Sequence, residues 1–298
     1  MVSLPIDPAV DLRSTLSVFR YGSYDPTTQL GDHDFWRATL TPLGEATLHL
    51  RWAAQRLDAE AWGPGGDWML DRVASMTGAA DPGFDCPAHA HRRVVQAHRN
   101  HRGWRVAASG MLYHELLPNV LGQRVTAREA LGQWRTIATT LGTAAPGPND
   151  SLFVPPTPQA LLDHPAWWFH PLGVEAKRAE ALRTVARYAE RVSQWAMLSS
   201  TEASAKLRLL SGIGPWTIGA AVGPALGDTD AIPVGDFHLP NMICFALAGK
   251  SRGSDAEMLE LLEPYAGQRG RVIGLLGMDG NTPPKFGPRQ RIQPMYRR

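Results

Sequence analysis

Cysteine is scarce in this chain: Cys86 and Cys244 are the only two in 298 residues. Two thiols cannot build a disulfide framework, a four-cysteine iron–sulfur cluster or a four-cysteine zinc site, and the count fits a reducing compartment. No basic–apolar–small leader pattern opens the chain, and no apolar run approaches the ~20 residues that span a bilayer. A soluble cytoplasmic protein with no membrane partner is expected. No repeat of fixed period is visible, which argues against a solenoid. Charge of one sign is missing too: the net charge is +2, so the global balance neither demands nor excludes nucleic acid. With 44% apolar and 19% charged residues, the composition is that of a globular chain long enough for one large or two modest cores.

What is present divides near residue 88. The stretches Leu16-Ser-Val-Phe-Arg-Tyr21, Asp34-Phe-Trp-Arg-Ala-Thr-Leu40 and Ala46-Thr-Leu-His-Leu-Arg-Trp52 alternate as strands do, with Pro/Gly turns between them. A helix over 68–76 would cover one face, giving a small α+β domain over residues 1–88. Beyond it helical periodicity takes over through 298. Helices are expected near 89–98, 111–121, 127–141, 158–168, 175–195, 201–210, 215–225, 239–248, 255–262 and 268–276. The proline-rich stretch 146–158 reads as a surface linker. The fold class expected is mainly α with a small N-terminal antiparallel sheet.

Two segments carry chemistry. In Leu210-Ser-Gly-Ile-Gly-Pro-Trp-Thr217, Pro215 takes the first turn of a helix, and Gly212 and Gly214 permit the tight turn before it. Amides at such a turn can hold a phosphate, although a plain helix–helix turn fits the same residues. In Ile232-Pro-Val-Gly-Asp-Phe-His-Leu239, Asp236 stands where a helix cap stands. It also suits a carboxylate facing a cleft, stabilising positive charge on a sugar carbon or orienting a water. The two roles are compatible. After Glu263 the chain carries Arg269, Arg271, Lys285, Arg289, Arg291, Arg297 and Arg298 against Asp279 alone. This basic tail, about 277–298 in its last part, fits either a solvated terminus or phosphate contacts.

Together these segments resemble the helix-hairpin-helix (HhH-GPD) DNA glycosylases, of the bacterial 3-methyladenine DNA glycosylase II type. The stretch from Leu112 to Thr126, the helix Leu172-Gly-Val-Glu-Ala-Lys-Arg-Ala-Glu-Ala-Leu182, the hairpin within about 201–225 and the aspartate segment within about 230–248 follow in that family's order. The resemblance implies a two-lobed helical body with the active-site cleft between lobes. It implies a monomeric, nucleoid-associated enzyme that flips alkylated purines of the 3-methyladenine and 7-methylguanine kind out of duplex DNA and hydrolyses their glycosidic bond.

Residue by residue, it implies that Asp236 is catalytic and that Trp216, Phe237, Tyr113 and Trp167 line the base pocket. Strand-nicking relatives carry a lysine at the position of Trp216, and tryptophan cannot form their Schiff base, so a monofunctional enzyme is implied. Arg124 matches the wedge that fills the gap in the duplex, while a surface arginine fits as well. Gly212, Ile213, Gly214 and Thr217 match the phosphate contacts, and His238 and Lys177 rank as secondary. No cofactor is required for catalysis; the carbonyls of Arg208, Leu210 and Ile213 match a site for Na+ or K+ when DNA is bound. Ala220 and Gln268 replace expected pocket aromatics, which leaves room for other aromatics such as Trp168. The competing readings are a DNA- or abasic-site-binding module without turnover and a glycosylase for other damaged bases.

Overall fold

A computed structural model describes residues 2–283; Lys285, Arg289, Arg291, Arg297 and Arg298 of the basic tail lie outside the described residues. The chain is mostly helical, with one small antiparallel sheet near its N-terminus. Strands β1 (Val2–Pro5), β2 (Thr28–Leu30), β3 (Asp34–Thr41), β4 (Gly44–Ala53) and β5 (Arg56–Trp62) lie in the order β1-β5-β4-β3-β2. The alternation at 34–40 and 46–52 forms the β3–β4 hairpin, in which Phe35 pairs with Leu50 and Arg37 with Leu48. Phe35, Leu48, Leu50, Leu57 and Ala59 make one buried face.

The first expected strand is corrected. Residues 16–21 end α1 (Leu12–Leu16) and continue as a 3-10 turn, Ser17–Phe19. Asp11 caps α1 by accepting the Ser14 N–H, and Leu12, Leu16 and Phe19, at i, i+4 and i+7, enter the core. Helical spacing overrides the apparent alternation, in which Val18 is exposed. The single helix expected over 68–76 is two short ones, α2 (Gly66–Leu70) and α3 (Val73–Met76), which bring Met69, Val73 and Met76 onto the same face. The opposite face, with Trp36, Ala38 and Leu40, is covered by Leu152 and Val154 from the segment carrying β6 (Thr143–Ala144) and β7 (Phe153–Val154). The expected surface linker at 146–158 therefore contributes to a core.

The remaining helices are α4 (Arg92–Asn100), α5 (Leu112–Leu121), α6 (Ala127–Leu141), α7 (Pro158–Leu162), α8 (Ala176–Arg187), α9 (Ala189–Trp195), α10 (Ser200–Leu207), α11 (Pro215–Leu226), α12 (Leu239–Ala248), α13 (Asp255–Leu262) and α14 (Arg269–Met278). They build two cores. One joins α5, α6 and α8 to α11 around Leu116, Trp134, Leu182, Leu207 and Val222. The other joins α4 to α12, α13 and α14 around Val94, Ile243, Met258 and Val272. The chain thus begins the second body at α4, leaves to build the first, and returns through residues 227–238. Asp236 sits on that return.

Buried polar pairs tie the N-terminal region to each helical body. Arg37 and Glu115, both 0% exposed, meet at 2.6 Å, and Tyr21 Oη donates to the other Glu115 oxygen at 2.7 Å. Asp81 accepts from Arg271 Nη1 at 2.9 Å and Nη2 at 2.5 Å. Burial pushes the Asp81 carboxyl up, but hydrogen bonds from Arg271, Val106 and Gly83 outweigh it and hold the group below its ordinary value. No helix among the described residues is long and apolar enough to cross a membrane.

Candidate active site

α10 and α11 form the hairpin. Ser199 and Glu202 make a capping box at the start of α10. In the turn, Gly212 takes φ +83°, and a Cβ there would lie 2.9 Å from the Ala181 side chain of α8. Gly214 precedes α11, and Pro215 occupies its first position. Among the described residues nothing lies within 4 Å of where a Gly214 Cβ would stand, so its backbone is open to close approach. Among the described residues, the amides of Gly212, Gly214, Trp216 and Thr217 donate no hydrogen bond. Such unpaired donors at the positive end of a helix favour an anion. The side chains of Ile213 and Thr217 do not reach outward. Ile213 is in the core, and the buried Thr217 hydroxyl accepts from Gln123 Nε2 at 2.9 Å. What the turn offers is main chain.

Asp236 lies two residues ahead of the His238 cap position of α12. Its Oδ1 accepts the N–H of His238 at 2.8 Å and of Leu239 at 2.9 Å, which closes the helix end as the capping pattern expects. Its Oδ2 accepts the Trp216 indole N–H at 2.8 Å. The carboxylate is therefore fixed by donors from both helical bodies, and it sits half-buried on the seam between them. Trp216 reaches it by lying over Gly122, where a Cβ would come 2.9 Å from the indole ring. Gln123, the next residue, also donates to the Gly212 carbonyl at 2.9 Å, which joins the end of α5 to the hairpin.

The return segment is held from behind. A Cβ on Gly219 would stand 2.2 Å from the Ile232 carbonyl oxygen, so α11 and residues 232–233 pack backbone to backbone. Arg269 pairs with Asp230, the Arg271 N–H donates to the Thr229 carbonyl at 2.9 Å, and the Gly235 N–H donates to Asp255 Oδ1 at 3.2 Å. Two exposed rings flank the carboxylate: Phe237, 82% exposed, and His238, edge-to-face at 4.9 Å. Arg124 follows Gln123 at φ +56°, an uncommon conformation for a side chain of this size. It is exposed, and among the described residues its guanidinium has no hydrogen bond or ion pair.

The structure thus brings Asp236, Trp216, Phe237 and His238 together and joins the Gln123–Arg124 loop to the hairpin. Two expected pocket residues are elsewhere. Tyr113, 4% exposed, is a core residue whose hydroxyl donates to the Pro156 carbonyl at 3.0 Å, and burial pushes its phenol up. Trp167 stands on the 3-10 segment Ala166–Leu172, which packs on α6 and α8 rather than on the helices flanking Asp236. Trp168, from the same segment, stacks on His164 at 3.8 Å. Lys177 is exposed on α8, whereas its neighbour Arg178 is buried and bonds the Leu121 carbonyl at 2.7 Å and Gln133 Oε1 at 2.6 Å. Gln268 accepts from Arg271 Nε at 2.6 Å within the second core. The residues that the sequence left without a role are Gly122, Gln123, Gly219 and Asp230, while Arg269 and Arg271, read with the basic tail, are instead paired with Asp230 and Asp81. Only Gly122 and Gln123 had a visible signal, standing beside Arg124 in the stretch from Leu112 to Thr126. Among the described residues no group of three or more His, Cys, Asp or Glu can hold a metal ion.

The fold is that of the helix-hairpin-helix DNA glycosylases. A 3-methyladenine DNA glycosylase from Archaeoglobus fulgidus aligns over 94% of this chain and 99% of its own, with a TM-score of 0.75 at 16% identity. An 8-oxoguanine glycosylase/lyase from Clostridium acetobutylicum, in complex with duplex DNA containing cytosine opposite 8-oxoguanine, aligns over 92% of this chain and 93% of its own, with a TM-score of 0.64 at 12% identity. The 3-methyladenine DNA glycosylase of Schizosaccharomyces pombe, in complex with abasic DNA, covers 65% of this chain and 93% of its own, with a TM-score of 0.53 at 20% identity. No protein-family model and no curated protein sequence matches the chain.

Proposed function

We propose that the protein is a monofunctional DNA glycosylase that removes alkylated purines, of the 3-methyladenine and 7-methylguanine kind, from duplex DNA and leaves an abasic site. The observation that carries this reading is the Asp236 carboxylate, held by the Trp216 indole and by the start of α12, beside a turn of unpaired amides. Alkylation at N3 or N7 makes the purine a cationic leaving group, so the carbon it leaves, C1′, becomes positive as the bond breaks. A carboxylate already held in place stabilises that charge without reorganising. Oδ2 accepts one internal hydrogen bond and keeps a free lone pair for an attacking water.

Trp216 serves twice: its N–H orients the carboxylate, and its ring face suits a cationic base. It offers no amine for a Schiff base. Of the lysines among the described residues, Lys250 is paired with Glu257 just beyond the C-terminal end of α12, opposite the end that Asp236 caps, while Lys177 and Lys206 stand on α8 and α10. Arg124 is the wedge of this reading. At the hairpin, the Arg208 and Ile213 carbonyls accept no hydrogen bond among the described residues, and that of Leu210 accepts the Ile213 N–H at 3.1 Å. Neutral carbonyl oxygens of this kind suit Na+ or K+, whose charge would strengthen the hold on a phosphate. The enzyme acts as a monomer on the nucleoid.

The test is an analysis of products from a duplex carrying mixed lesions. Free alkylated purines should be released, with an intact abasic strand and no covalent adduct on borohydride reduction. Release of 8-oxoguanine with a trapped adduct would replace this reading by a glycosylase/lyase.

A further inference from the structure

The solvent face of α6 carries no acid. Glu129, the helix's one acidic residue, is folded back into the capping box with Thr126. Arg128 and Arg135 are exposed, and among the described residues neither has a hydrogen bond or ion pair from its guanidinium. Seven residues apart, they stand on one face about 10.5 Å from each other along the axis. Between them Gly132 leaves nothing among the described residues within 4 Å of a would-be Cβ, so the face is open as well as basic.

The same face begins next to Arg124 and ends at a cavity of about 530 Å³ lined by Arg20, Tyr24 and Arg135. There the Arg135 guanidinium lies 5.5 Å from the ring of the exposed Tyr24. Among the described residues, Arg20 enters the cavity with only the Ser23 carbonyl for its guanidinium, at 2.9 Å, and with a buried Nε that has no partner. The cavity also holds the carboxylates of Asp25 and Asp34. Asp25 is taken up by Tyr21, Thr27 and Trp134, and Asp34 by His49.

From these observations we infer that α6 and the Arg20–Tyr24 cavity form a track for the backbone of the duplex flanking the lesion. The inference rests on the proposal that the protein binds DNA. Arg124 marks the near end. Arg128 and Arg135, about 10.5 Å apart along the helix axis and each on a long side chain, each take a separate phosphate of one strand. Arg20 receives a phosphate at the far end. This track neither reads the lesion nor touches the reacting atoms. It adds sequence-independent affinity and direction to the bound duplex.

The experiment uses the full chain and two duplexes with a central stable abasic analogue. One has about three base pairs on each side of the site and the other about twelve, so that only the second spans the track. Wild type should bind the long duplex more tightly, and R128A/R135A should lose that gain. Removing two phosphate contacts should lower the log–log salt slope on the long duplex by about 1.8. The ratio of variant to wild-type Kd should therefore shrink about twelvefold between 50 and 200 mM salt. Gly132→Glu, which adds an acid without a steric conflict, should weaken long-duplex binding, and Gly132→Gln should not. An equal loss on both duplexes, or none on either, would overturn the track. Failure of the wild type to bind either duplex would instead remove the DNA reading itself.

Discussion

Gly219 offers a direct way to displace the aspartate segment without touching the aspartate. In Gly219→Ala the new methyl would stand 2.2 Å from the Ile232 oxygen, 2.5 Å from the Ile232 carbonyl carbon and 2.7 Å from the Pro233 nitrogen. All three are backbone atoms, so no side chain can rotate away. Non-bonded contact needs about 3.5 Å, so α11 and residues 232–233 must part by roughly 1 Å. Overpacking of this kind costs about 1–3 kcal/mol, which a thermal melt reads as a few degrees. The larger effect falls on chemistry. A shift of that size stretches the 2.8 Å bond between Trp216 and Asp236 past hydrogen-bond distance, and a misplacement of about 1 Å can cost 10²-fold in rate. Single-turnover release of methylated purine should therefore fall about 100-fold while the protein stays folded. A wild-type rate in a stable Gly219→Ala protein would refute the argument that backbone packing positions Asp236.

Gly214→Ala is the complement. Among the described residues a Cβ there meets nothing, at φ −96°, so stability should change by no more than about 1 kcal/mol. Binding to abasic duplex should weaken severalfold because the strand approaches at that point; an unchanged Kd would count against the hairpin contact. Trp216→Phe keeps an aromatic ring, though a smaller one, and deletes the donor to Asp236. With hydrogen bonds to charged groups worth about 1.5–3 kcal/mol, excision should slow by about 10- to 100-fold with abasic binding nearly kept, and an unaltered rate would show that the bond is incidental. Asp81→Ala leaves Arg271, 1% exposed, without its partner and should cost about 3–5 kcal/mol in denaturant melts at pH 7. Because the folded Asp81 carboxyl is held low, its contribution is present above the unfolded value of about 3.9 and is lost as pH falls through the folded one. The gap between wild type and variant should thus narrow below about pH 4.

Local chemistry made part of this molecule readable from its residues. The expected helix at 127–141 is bounded by the Thr126–Glu129 capping box, and 239–248 begins where Asp236 accepts two amides; both signals lie within three residues of the helix start. The strands at 34–40 and 46–52 alternate because one face meets a core. Where two periodicities competed, at residues 16–21, the apolar positions outside the window decided, since Leu12 pairs with Leu16 and Phe19 to make a helical stripe. The aspartate and tryptophan of the candidate site each stand in a motif quoted from the sequence, and the fold brings them into hydrogen-bond contact. Their supports were not: Gly122 under Trp216, Gly219 against Ile232 and Arg269 on Asp230 meet only after the chain has closed on itself. Tyr113 shows the reverse error, because an aromatic beside a motif carries no mark of which side of its helix faces the core.

The whole account depends on Asp236 doing more than closing α12. Asp236→Asn keeps the size of the side chain and an oxygen for the His238 and Leu239 amides while removing the charge. In single-turnover reactions on methylated duplex, base release should fall by about 10²–10³-fold or more, with abasic-duplex Kd within a few-fold of wild type. Release by Asp236→Asn at the wild-type rate would contradict the claim that this carboxylate carries the reaction.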